Sequence, residues 1–147
     1  MTLNKLRSGD VLAGLGGLGL LVVMFFPWYE FQPGTYPGSR FVPDDNTVQS
    51  AWEAFGFLLV PLVLTALLGI AVFAVTAVER TSAYPVAAQV FAAAIGSLTT
   101  ILVGLRLINP PGPNYAASLR WGAWVGLLCT LAVAAGAWWS MRDELRP

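Results

Sequence analysis

Four long apolar stretches take up most of the 147-residue chain and restrict what it can fold into. They cover residues 11–28, 54–78, 86–108 and 121–140, and ionisable side chains are nearly absent within them. A helix of about 20 apolar residues rises far enough to cross about 30 Å of hydrocarbon. The sequence therefore predicts an all-α membrane protein, an antiparallel bundle of four transmembrane helices that forms a single domain over residues 1–147.

The composition argues against several classes of function. Eight Lys and Arg residues balance eight Asp and Glu residues, so no basic surface is available for nucleic acid. The chain has no His and a single cysteine, Cys129. A site built from His and Cys ligands, a haem held by imidazole and a disulfide-exchanging cysteine pair are therefore excluded. No nucleophile–base arrangement is recognisable, and we expect neither a cofactor nor a catalytic site.

The distribution of basic residues predicts the orientation. With four spans, both termini lie on the same side of the membrane. Five of the Lys and Arg residues considered fall on that side, whereas Arg40 and Arg120 fall in the two opposite loops. Positive residues favour the cytoplasmic side, so we expect a multi-pass protein of the cytoplasmic membrane with both termini in the cytoplasm. The outer loops are then residues 29–53 and 109–120.

Prolines and glycines predict the shape of the connections. The first outer loop is rich in both, and we expect turns and extended segments there rather than regular structure. Pro61 lies inside the second predicted span, where a proline removes one backbone hydrogen bond, so we expect a kink. Pro85 suits the first turn of the third helix, because the amide it lacks has no helical partner there.

Tryptophan residues mark the edges of the predicted spans. An indole ring is apolar while its N–H needs a polar partner, so this side chain favours the membrane–water interface. The predicted interface anchors are Trp28, Trp52, Trp121 and Trp124 on the outer side and Trp138 and Trp139 on the inner side.

Small residues recur at four-residue spacing and predict close helix packing. Burial of apolar surface cannot drive helices together in lipid, so small side chains that allow close approach take that role. The third helix carries Ala88, Ala92, Gly96, Thr100 and Gly104, the fourth carries Gly122, Gly126 and Thr130, and the first carries Gly9, Ala13 and Gly17. Two interpretations remain open: the ridges pack the bundle itself, or one on the first or fourth helix contacts a second copy of the chain.

Ionisable side chains at the outer ends of the spans form the candidate site. Arg106, Glu53 and Glu30 are predicted to lie at one depth, where Arg106 can pair with either carboxylate. Such a cluster either binds a polar or anionic group, or lets Arg106 reach the headgroups and lock the helix ends. Gln89, near the inner end of the third span, is interpreted as forming a hydrogen bond between helices rather than contacting a substrate.

Short motifs at the helix ends resemble a known group of proteins. They are Phe26-Pro27-Trp28-Tyr29, Ala51-Trp52-Glu53-Ala54-Phe55, Asn109-Pro110-Pro111-Gly112, Gly122-Ala123-Trp124 and Met141-Arg142-Asp143-Glu144. With them the chain resembles uncharacterised four-helix integral membrane proteins of high-GC Gram-positive bacteria, the actinobacteria. The resemblance implies the architecture and transfers no activity.

The sequence thus predicts a non-enzymatic structural or accessory membrane protein. Its expected partners are membrane lipids, further copies of itself or a larger membrane complex. The alternative is a small transporter or channel-like protein that binds a polar or anionic solute at an outer vestibule around Arg106.

Overall fold

The computed structural model describes residues 7–31, 47–78, 83–109 and 117–144, and these are mostly helical. The elements are α1 (Ser8–Val23), β1 (Pro27–Phe31), β2 (Thr47–Ser50), α2 (Ala51–Ala54), α3 (Leu59–Val78), α4 (Ala83–Ile108), β3 (Ala117–Leu119) and α5 (Trp121–Glu144). Three helices contain segments that are long and apolar enough to cross a membrane, namely Leu59–Val78, Val86–Ile108 and Trp121–Asp143. These helices indicate a membrane protein.

The first helix is shorter than the sequence suggests. The span predicted over residues 11–28 begins earlier, at Ser8, and its helix ends at Val23. Its 16 residues rise about 24 Å, less than the roughly 30 Å of a hydrocarbon core. Pro27 opens a strand after a tight turn, because the residue before a proline is disfavoured in helical geometry. The predicted outer end of this span was therefore wrong.

The second predicted span, residues 54–78, is divided in the structure. The short helix α2 ends at Ala54, and α3 begins only at Leu59 after a non-helical break. Pro61 is consequently the third residue of α3, where an amide would have no helical partner. The kink predicted at Pro61 was wrong, because the proline lies in the first turn of a helix rather than in its interior.

The remaining two helices agree more closely with the sequence. Helix α4 begins at Ala83 and ends at Ile108, and it carries Pro85 in its first turn as predicted. Helix α5 begins at Trp121, as predicted, but continues past residue 140 to Glu144.

A three-stranded antiparallel sheet joins the two loops that were predicted to be outer, although no regular structure was expected in the first of them. Its order is β2-β1-β3, so the strand from the end of α1 lies between one strand of each loop. Aromatic residues favour extended backbone, and β1 reads Pro-Trp-Tyr-Glu-Phe. The amide of Arg120 donates to the carbonyl of Trp28 at 2.9 Å, which ties the start of α5 to the sheet.

The four long helices form a ring in which α1 contacts α3 and α5, and α4 contacts the same two helices. Glycines allow the closest approaches. A Cβ added at Gly17 would lie 2.5 Å from the carbonyl oxygen of Ala66, and one added at Gly136 would lie 2.6 Å from that of Gly9. At these points the helices touch backbone to backbone.

The interior is filled at both ends by the chain's own side chains. Toward the sheet, the buried cluster comprises Leu20, Val23, Met24, Trp28, Tyr29, Ala51, Phe55, Leu62, Ala66, Val103, Leu107 and Ala123. Toward the other end, it comprises Ala13, Val72, Ala92, Ala93, Val133 and Ala137. Large aromatic rings thus fill the sheet end, and small residues fill the opposite end.

Candidate functional site

Strand β1 carries one member of the predicted outer cluster. Glu30 is half-buried and forms an ion pair with Arg120, with Oε2 and Nε 3.1 Å apart. Arg120 lies between β3 and α5 and had been assigned only to the outer loop. Because both side chains are partly solvated, the pair contributes at most about 1 kcal/mol and mainly orients the two groups.

Arg106 occupies the last turn of α4 and is half-buried. Its carbonyl oxygen accepts a hydrogen bond of 3.1 Å from the hydroxyl of Tyr29, which attaches this end of α4 to the sheet. Burial raises the pKa of Tyr29 to about 12, and the positive charge of Arg106 acts in the opposite direction. The phenol therefore remains neutral, and able to donate this bond, throughout the physiological pH range.

Glu53 belongs to the short helix α2, and its side chain lies outside the described part of the structure. The pairing of Arg106 with Glu53 or Glu30 therefore stays a prediction. Tyr29 connects these two positions in the structure. Its hydroxyl donates to the carbonyl of Arg106, and Glu30 is the next residue on β1.

A cleft of about 600 Å³ lies beside Arg106, between the start of α3 and the end of α4. Its described lining consists of Gly56, Phe57, Leu58, Pro61, Leu102, Leu105, Arg106, Ile108 and Asn109. Several of these side chains are strongly exposed, with Phe57 at 92% and Ile108 at 81%. The cleft thus combines an apolar wall with the guanidinium group of Arg106, around which the sequence predicted a vestibule.

A second polar cluster lies near the opposite end of the bundle and contains a carboxylate that the sequence analysis missed. Asp10 is fully buried, and its Oδ1 accepts a hydrogen bond of 3.2 Å from Nε2 of Gln89 on α4. Its Oδ2 accepts one of 3.1 Å from the amide of Arg7, as in a helix-capping box. The predicted hydrogen bond of Gln89 between helices is confirmed, and its partner is Asp10.

This second polar cluster also contains buried groups whose hydrogen bonding is incomplete. Within the described ranges, Oε1 of Gln89 and Oγ of Ser140 are buried without a hydrogen-bond partner. Arg7 reaches the carbonyl of Ser140 with a guanidinium nitrogen at 3.4 Å. The predicted span began at residue 11, so Asp10 lay outside it and was not considered as a buried group of α1. Its position three residues after the cap was the available signal.

Most of the predicted packing residues lie against other parts of the chain. Ala92 is fully buried, and a Cβ at Gly96 would touch Ala134 of α5 at 3.3 Å. Ala88 packs against the buried cluster at the end opposite the sheet, and Thr130 is fully buried. A Cβ at Gly104, in contrast, would meet no described atom within 4 Å. Gly104 is therefore not required for helix contact.

The contact between α3 and α4 involves Thr99 rather than the predicted packing residue Thr100. Thr100 is half-buried, and its hydroxyl bonds its own helix at the carbonyl of Gly96. Thr99 is fully buried instead, and its hydroxyl lies 2.7 Å from that of Thr65. Both threonines also contact the carbonyl of Pro61, at 2.7 Å from Thr65 and 3.2 Å from Thr99.

Gly122 and Gly126 of α5 lie against strand β1 of the sheet. A Cβ at Gly122 would meet the carbonyl of Pro27, and one at Gly126 would meet the indole ring of Trp28. Trp28 is fully buried, and its Nε1 donates to the carbonyl of Val23 at 2.9 Å. Its prediction as an interface anchor was wrong, because its ring fills the core of the bundle.

The other tryptophans expose the surface that an interface anchor needs. Their relative exposures are 39% for Trp52, 52% for Trp121, 54% for Trp124, 50% for Trp138 and 54% for Trp139. Nε1 of Trp138 donates to the hydroxyl of Ser97 at 3.2 Å. The anchoring role of these five residues stays a prediction.

Comparison of the chain with protein-family models, curated proteins and solved structures gave no match. Across residues 7–31, 47–78, 83–109 and 117–144, no three His, Cys, Asp or Glu residues come together to hold a metal ion.

Proposed function

We propose that this protein is a non-enzymatic structural or accessory component of the cytoplasmic membrane. In this proposal α1, α3, α4 and α5 cross the bilayer as an antiparallel bundle, both termini lie in the cytoplasm, and the sheet lies outside. The observation that carries it is the filled interior. Trp28, Tyr29 and Phe55 occupy the sheet end of the bundle, and small residues close the other end.

The aromatic packing at the sheet end supports a rigid junction rather than a gate. The rings of Trp28 and Phe55 meet edge to face with centroids 5.4 Å apart, and those of Tyr29 and Phe55 do so at 5.7 Å. Edge-to-face pairs at these distances add to the stability gained by burial. The interior polar groups of this end, including Thr65 and Thr99, are bonded to one another across α3 and α4.

The exterior of the bundle supports contact with lipids or with partner helices. Large apolar side chains point outward on every long helix, among them Leu15, Leu18, Leu67, Phe91, Ile101 and Leu128. Small residues of α1 and α5 lie against other parts of the chain, since a Cβ at Gly9 would meet Gly136 and one at Gly126 would meet Trp28. A further copy, or a larger complex, would therefore be contacted through the bulky outer faces or through the sheet.

A second candidate is a small transporter or channel-like protein that binds a polar or anionic solute at the outer vestibule. The cleft beside Arg106 favours binding at that place. Passage of a solute along the bundle axis gains no such support, because buried side chains fill the axis at both ends.

Purification in a mild detergent, followed by native mass measurement, tests the proposed role. We expect the chain to be recovered with further copies or with another membrane protein, because an accessory component acts through its partners. The same preparation treated with SDS provides the control, since it separates non-covalent partners. Recovery as a lone monomer at every concentration of the mild detergent would contradict the accessory role.

A further inference from the structure

The cleft beside Arg106 differs from the rest of the outer surface in both shape and charge. Its apolar wall extends along α4 from Leu102 to Ile108, which corresponds to about 9 Å at 1.5 Å per residue. Arg106 lies in the last turn of that helix, and its long side chain is able to place the guanidinium at headgroup level. The described lining residues include this one cation and no carboxylate.

The opposite wall of the cleft is formed by Gly56, Phe57 and Leu58, which immediately precede the 20-residue helix α3, and by Pro61 in its first turn. The first amides of α3 already donate to the carbonyls of residues 56–58. The start of α3 and the end of α4 carry partial charges of opposite sign. The positive charge of the described lining is therefore that of Arg106.

We infer that this cleft binds one anionic phospholipid, with the phosphate at Arg106 and Asn109 and the start of an acyl chain against Leu102 and Leu105. Arginine binds phosphate through paired N–H groups, and an acyl chain matches the apolar wall that a soluble anion would leave in contact with water. The inference rests on the proposed membrane location but not on the accessory role. A lipid bound here would cover the start of α3 and the end of α4.

Native mass spectrometry of the detergent-solubilised chain, titrated with phosphatidylglycerol or phosphatidylcholine of identical acyl chains, tests the inference. We expect one phosphatidylglycerol to bind and phosphatidylcholine to bind more weakly. Arg106→Leu should weaken phosphatidylglycerol binding roughly ten- to a hundredfold, the value of a charge-assisted hydrogen bond. Arg106→Lys should retain part of it. Arg142→Leu, a change in the last turn of α5, is the matched control and should leave binding unchanged.

A second variant keeps the test informative if Arg106→Leu fails to fold, which its thermal unfolding would reveal. A Cβ added at Gly56, which lines the cleft, would meet no described atom within 4 Å, so Gly56→Trp should place its ring in the cleft and displace the acyl chain while Arg106 stays in place. Equal affinity for the two lipids, full binding in Gly56→Trp, or full competition by millimolar inorganic phosphate would overturn the inference. A loss of binding in Arg142→Leu equal to that in Arg106→Leu would overturn it as well.

Discussion

Replacement of Trp28 by alanine is expected to lower the free energy of unfolding by about 3–5 kcal/mol, the usual cost of removing a large buried aromatic side chain. The indole is fully buried, packs edge to face on Phe55 and lies directly against Gly126. Its removal leaves a cavity where the sheet meets the bundle. It also removes the hydrogen bond that the carbonyl of Val23 accepts from the indole, and leaves the one that it accepts from the amide of Phe26.

The matched control is Trp124→Ala on α5. Trp124 is 54% exposed, so its truncation should change the free energy of unfolding by much less than that of Trp28. Unfolding titrations with SDS in mixed micelles measure both variants, and loss of the near-UV circular dichroism signal reports the junction itself. Equal effects at the two positions would show that Trp28 does not fill the core.

The second large effect is expected at Gly17, where α1 and α3 meet. An added methyl group would lie 2.5 Å from the carbonyl oxygen of Ala66 and 2.9 Å from the amide nitrogen of Ile70. Both obstacles are backbone atoms, so the two helices have to move apart. Gly17→Ala should therefore destabilise the protein by roughly 1–3 kcal/mol, although alanine is the better helix former.

Gly104→Ala provides the comparison within the same fold. A Cβ at Gly104 meets no described atom within 4 Å, so only the gain in helix propensity acts there. This variant should be as stable as the wild type or more stable by up to about 1 kcal/mol. Thermal unfolding of the two variants in one detergent decides the matter, and a stable Gly17→Ala protein would contradict the close contact of α1 with α3.

The helices were predictable because hydropathy and helix packing depend on local sequence. Long apolar runs located α4 and the start of α5 well, and Gln89 was rightly expected to bond another helix. The break before α3 was not predictable in this way. Residues 55–58 are as apolar as the helix that follows them, and hydropathy does not distinguish an apolar turn from an apolar helical segment.

The sheet and the site depend on contacts between distant parts of the chain. Strand β1 pairs with strands from both outer loops, and no local pattern specifies such a pairing. A tryptophan at the edge of a span is typical of an interface anchor. Trp28 lies in the core instead, because strand β1 places it there. Arg120 as the partner of Glu30, and Asp10 as the partner of Gln89, followed from the same long-range placement.

In the proposed topology, the sheet and the end of α5 lie on opposite sides of the membrane. Ser118 on β3 and Arg142 on α5 are exposed, and replacement of Cys129 by serine gives a background without cysteine. Ser118→Cys and Arg142→Cys, each made in that background, can then be labelled in intact cells with a membrane-impermeant maleimide. We expect position 118 to be labelled from outside and position 142 to be labelled only after the membrane is permeabilised. Labelling of both positions in intact cells, or of position 142 alone, would contradict it.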